Sequence, residues 1–150
     1  MNWTKGRSLM LSRVCVVLFF LALVAACCCA PWLLRWRLAT NGGRSISKLP
    51  YYLASLYCCA PFAAAVLWQL HKLLGNIGRE AVFVAENVRC LRALSWLCIG
   101  AGIVMFVSGF YDFLFFALSA CAAFMGLILR VVKNVIAEAA ALKAENDFTI

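Results

Sequence analysis

The sequence predicts an all-α fold: an integral membrane four-helix bundle with both termini cytoplasmic and helix four extended into the cytoplasm. Three observations predict it. Of the 150 residues, 66% are hydrophobic and 13% charged, whereas about half of an ordinary soluble domain is apolar. A chain this small has too much surface per unit volume to hide that apolar excess from water. The apolar residues fall in four charge-free blocks, and Lys and Arg gather unequally between them. The length suits a single domain, 1–150.

The first block, Val14–Leu34, gives 21 residues between Arg13 and Arg35. The second, Leu49–Leu70, gives 22 between Lys48 and His71. The third, Ala93–Tyr111, gives 19 between Arg92 and Asp112. The fourth, Phe113–Leu129, gives 17 and ends at Arg130. A hydrocarbon core about 30 Å thick needs roughly 20 helical residues. The fourth block reaches that length through Val132 if Arg130 snorkels to the headgroups. The expected spans are therefore 14–34, 49–70, 93–110 and 113–132, with a tight turn at Ser108–Asp112 and a tail at 133–150. The runs are continuous rather than alternating, which argues against membrane strands.

Orientation follows from the cations. The N-terminal tail, middle loop and C-terminal tail together hold ten Lys and Arg, and the other side holds four. The ten mark the expected cytoplasmic face, and a bacterial plasma membrane is the expected location. The net charge of +8 also favours anionic lipid headgroups. No basic face interleaved with aromatics forms a nucleic-acid module, so no direct nucleic-acid binding is expected. Val24-Ala25-Ala26-Cys27 resembles a lipoprotein cleavage box, with Cys27 as the residue to be lipidated. The chain stays apolar through Leu34, where a mature lipoprotein would begin with a polar tether, so an uncleaved first helix is expected.

"CCAPW" at Cys28–Trp32 returns as "CCAPF" at Cys58–Phe62. The flanks do not match, the two helices run in opposite directions, and Ala and Cys are frequent, so no repeat is read. The nine cysteines include no C-x-x-C pair, and eight lie inside apolar spans, where thiolates are disfavoured. They are expected to pack as small residues, with Cys90 at the cytoplasmic edge the most reactive. Pro61 is expected to kink helix two. Gly100, Gly102, Ser119, Ala122, Ala123 and Gly126 are small residues that let helices approach closely.

No ionisable residue lies well inside a span, whereas ion pathways place such groups there. No hydrolase, zinc, P-loop or dinucleotide motif is present. The expectation is a non-enzymatic protein with no catalytic residues, no metal and no cofactor.

The cytoplasmic parts carry the most specific residues. "FVAENVRCLRALSW" at Phe83–Trp96 reads as a helix entering the membrane, with Glu86 paired to Arg89 at i+3. In the tail, Val132, Val135, Ile136, Ala139 and Leu142 recur at helical spacing, while Lys133, Asn134, Glu138 and Glu145 face elsewhere. Such a helix lies along the bilayer surface, docks a partner, or does both.

Phe83, Glu86, Asn87, Leu91 and Arg92, followed by Glu138, Leu142, Glu145, Asn146, Asp147, Phe148 and Thr149, resemble the YoaS-like family of small bacterial membrane proteins. The family pattern is Phe-x-x-Glu-Asn then Leu-Arg, with a late Glu-x-x-x-Leu-x-x-Glu-Asn-Asp-Leu-Thr ending. Phe148 departs from the commoner Leu, and Val84 from a frequent Thr. The resemblance covers roughly 46–150 and implies four helices, no known activity, and partnership with small helix-turn-helix regulators. The expected partner-binding set is Phe83, Glu86, Asn87, Leu91, Arg92, Glu138, Leu142, Glu145, Asn146 and Asp147. The first expectation is a protein that binds or regulates such a cytoplasmic partner. The second is a small transporter, channel or immunity-type protein acting through its helices as a homo-oligomer.

Overall fold

Each charge-free block supplies the apolar part of a longer helix: the middle of the first, the start of the second and fourth, and the end of the third. The computed structural model describes residues 3–40, 46–78 and 85–148. Helix α1 is Trp3–Thr40, α2 is Leu49–Gly78, α3 is Ala85–Ser108 and α4 is Leu114–Phe148. A short 3-10 turn, Ile46–Lys48, leads into α2. Pro50 stands in the first turn of α2, where a missing N–H costs nothing. Pro31 and Pro61 lie inside continuous helices. All four helices are long and apolar enough to cross a membrane. Their 38, 30, 24 and 35 residues exceed the charge-free blocks because charged residues continue the helix past each apolar run. The protein is an all-α, multi-pass membrane protein.

The helices pack in chain order: α1 on α2, α2 on α3, α3 on α4. Among the described residues the backbones of α1 and α2 do not pack against that of α4, which α2 reaches through the contact of the Tyr52 and Phe115 rings at 6.1 Å, so the helices form a row in chain order.

The outside of this row is apolar. Phe113, Phe110, Trp32, Phe19 and Ile103 are all exposed. The inside is small and partly polar: Ala30, Cys90, Leu91 and Leu94 are buried together with Ser55, Asn87, Ser95, Ser108 and Ser119. This inversion has a physical cause. Lipid tails are as apolar as leucine, so burial of apolar area does not hold membrane helices together; close packing of small residues and interhelical hydrogen bonds do.

Helices α3 and α4 show it most clearly. The Ser95 hydroxyl donates to the Gly126 carbonyl at 2.8 Å, and Ser119 returns the bond to the Gly102 carbonyl at 2.8 Å. Both partners step by seven residues, so the antiparallel register is constant across the pair. A Cβ on Gly102 would meet the Ser119 carbonyl oxygen at 3.5 Å, and one on Gly126 the Ser95 carbonyl oxygen at 3.2 Å. The small residues expected to allow close approach therefore do so.

Helices α2 and α3 are also antiparallel in constant register. Asn76 pairs with Asn87 at one end and Ser55 with Ser108 at the other. In this register Trp68 lies level with Trp96, and both are exposed. Tyr51, Tyr52 and Tyr111 gather at the opposite end. Tyr51 and Trp68 are about 25 Å apart along the helix at 1.5 Å per residue. The two aromatic levels thus bracket a thickness close to that of a bilayer core. We call these the Trp end and the Tyr end.

Candidate functional site

At the Tyr end the short link between α3 and α4 builds a polar network inside an aromatic cluster. The chain turns at Gly109–Tyr111, where the Phe116 ring lies so close to Gly109 that an added Cβ would meet it at 2.7 Å. Asp112 then caps α4: its Oδ1 accepts the Leu114 N–H at 3.0 Å, satisfying a donor the helix start leaves open. Its Oδ2 accepts the Tyr52 hydroxyl at 2.8 Å. The Leu114 N–H first, and then Tyr52, hold the Asp112 carboxyl below the usual carboxylate range, with Lys48 and Arg37 adding to the effect.

One turn deeper, hydroxyls form a directed chain. Ser108 donates to the Val104 carbonyl at 2.9 Å, so its oxygen accepts from Ser55 at 2.5 Å. Ser55 has then used its proton and meets the Tyr111 hydroxyl, whose one proton is shared between the Ser55 oxygen and the Tyr51 carbonyl at 3.3 Å. Lys48 Nζ donates to the Tyr111 carbonyl at 3.2 Å. Beside this network is a cavity of about 400 Å³ lined by Leu34, Arg37, Tyr52, Ser55, Cys59 and Asp112 among others. Its walls are mostly apolar, with a few convergent polar groups, which is the usual make-up of a small-molecule site.

Sequence reasoning placed Asp112 in the tight turn, but it did not foresee the Ser55–Ser108–Tyr111 chain or the Tyr52–Asp112 bond. The available signal was two serines, Ser55 and Ser108, each near the Tyr-end limit of its apolar block.

The expected docking residues of α3 lie at the other end, and most of them are engaged internally. Asn87 is 1% exposed and accepts from Asn76 Nδ2 at 2.9 Å. Leu91 is buried. Glu86 is exposed, but its carboxylate pairs with Lys72 of α2 at 2.8 Å and accepts from Asn76 at 3.3 Å. The expected partner was Arg89; the neighbouring helix supplies a better-placed cation. These side chains clasp α3 to α2. Arg92 faces a crevice between α3 and α4. Phe83 lies outside the described residues, as do the side chains of Asn146 and Asp147. Cys90, expected to be the most reactive thiol, is 4% exposed, because its face of α3 turns towards the neighbouring helices.

On α4 the expected apolar stripe divides. Ala137, Ala140 and Ala141 line a hollow against Ala85, Val88 and Arg89 of α3. Val135 and Leu142 are exposed, with Glu138 between them and Glu145 beyond. Among the described residues, no three of His, Cys, Asp and Glu come together as a metal site would require.

A family profile described as "Protein of unknown function (DUF2975)" matches residues 8–150. The chain belongs to this family. The match covers both ends of the helix row, so the Tyr-end network and the Trp-end clasp both fall within the DUF2975 region. No curated protein and no solved structure matches the chain.

Proposed function

We propose that this DUF2975 protein is a non-enzymatic protein of the bacterial plasma membrane that holds or controls a soluble cytoplasmic partner through α4, with the Trp end and both termini on the cytoplasmic side. A helix-turn-helix regulator is the partner class, in keeping with the resemblance to the YoaS-like family. The observation that carries this reading is the length and exposure of α4. From Arg130 to Phe148 the helix continues about 27 Å, and it presents Val135, Glu138 and Leu142 on the side away from α3. A helix with one face packed and an apolar-acidic stripe on the other suits helix-in-groove recognition. The excess of Lys and Arg at this end supports the cytoplasmic orientation.

The test is the double variant V135E/L142E. Both side chains are exposed, at 61% and 58%, so the helices should still pack, and helicity in detergent should stay at the parent value. Binding of the partner should fall by at least tenfold; unchanged binding would remove α4 as the docking face.

A second reading, a small transporter or channel working through its helices, is favoured by the Tyr-end cavity. It predicts that S55A and Y52F change function while V135E/L142E does not.

A further inference from the structure

We infer that the crevice between α3 and α4 at the Trp end is a binding site for the phosphate group of an anionic phospholipid. Arg92, Ser95 and Trp96 of α3 and Arg130 and Lys133 of α4 line a hollow of about 210 Å³. Three cations thus converge on one hollow from two helices. Among the described residues none of the three forms an ion pair, and the Ser95 hydroxyl is already committed to Gly126. Like charges gathered without an acid repel one another, and an anion placed among them removes that repulsion.

The position specifies the anion. Trp96 lies level with Trp68, and both are exposed at the depth where tryptophan marks the headgroup region. The Arg130 guanidinium is held over the Trp96 ring, 5.0 Å from its centroid, a cation–π contact that restrains its long side chain. Towards the bilayer, Trp96, Ile103 and Val107 share one face of α3, and Leu127 lies one turn from Arg130 on α4. Ile103, Val107 and Leu127 are exposed and apolar. A phosphate in the hollow would therefore have acyl-chain surface on its membrane side. Basic hollows between membrane helices at headgroup depth take anionic lipid headgroups. A free phosphate would use the cations but not the apolar strip.

The test uses the full chain in a mild detergent. Native mass spectrometry follows retention of phosphatidylglycerol against phosphatidylcholine. The variant R130Q/K133Q is compared with R35Q/K143Q, which loses the same charge elsewhere. The parent should retain one phosphatidylglycerol selectively. R130Q/K133Q should bind it roughly 30-fold more weakly, from about 1 kcal/mol per cation near an anionic surface, whereas R35Q/K143Q should match the parent. R130K/K133R should keep selectivity, and circular dichroism checks that each variant folds. Equal losses in the two double variants would mean diffuse charge attraction and overturn the site. So would unchanged retention in R130Q/K133Q, or a parent that binds inorganic phosphate as well as it binds the lipid.

Discussion

Replacing Gly126 by leucine tests whether close backbone approach joins α3 to α4. A Cβ at this position would lie 3.0 Å from Ile99 Cγ1 and 3.2 Å from the Ser95 carbonyl oxygen. Both are nearer than the 3.4 Å at which ordinary contact begins. The Ser95 oxygen belongs to the backbone and has no rotamer to escape through. The helices must separate, and the 2.8 Å bond from Ser95 to Gly126 lengthens with them. Overpacking costs about 1–3 kcal/mol, and a lost interhelical hydrogen bond adds about 0.6 kcal/mol. The expected total is about 2–3.5 kcal/mol. Gly75 supplies the control, because nothing lies within 4 Å of a Cβ there; G75L makes the same chemical change in open space. Unfolding by SDS titration in mixed micelles, followed by circular dichroism, gives both values. If G126L is no less stable than G75L, close packing does not hold this pair.

Other outcomes follow from the same geometry. S95A and S119A should each lose about 0.6 kcal/mol, and the losses should add, because the two bonds sit about 10 Å apart along the helices; the same SDS titration measures them. N87A should cost about 1–3 kcal/mol by leaving Asn76 without its buried partner, whereas E86Q should leave the unfolding midpoint almost unmoved, since its ion pair is exposed. The folded Asp112 carboxyl titrates below its unfolded value. Its contribution is complete above the unfolded value of about 3.9 and is lost as pH falls through the lower folded value. Parent stability should therefore drop on acidification below about pH 4, and D112N should flatten that part of the profile; a parallel slope in D112N would contradict the cap.

The number and order of helices were legible because membrane spans are written in composition: a charge-free block of about 20 residues has few alternatives. Helix ends were less legible. α1 continues at both ends past Arg13 and Arg35, because a charge at the membrane edge ends a span but not a helix. Side-chain pairing was the least legible. Ser55 meets Ser108 and Tyr52 meets Asp112 across more than fifty residues, and one sequence carries no register between helices. The same limit explains Asn87. Read along the chain it is a polar residue at the start of a helix, but in the fold its face turns onto α2, where Asn76 receives it. The α4 stripe failed partly for a related reason: alanines, not the larger aliphatics, face α3 at Ala137, Ala140 and Ala141, since small residues permit the closer approach.

The most direct test of the docking account is an affinity pull-down from native membranes with three chains: full length, a chain ending at Val132, and V135E/L142E. The account predicts one soluble protein, able to bind DNA, that is retained by the full chain and lost from both variants. Capture of the same soluble set by all three, or of none by the full chain, would contradict it.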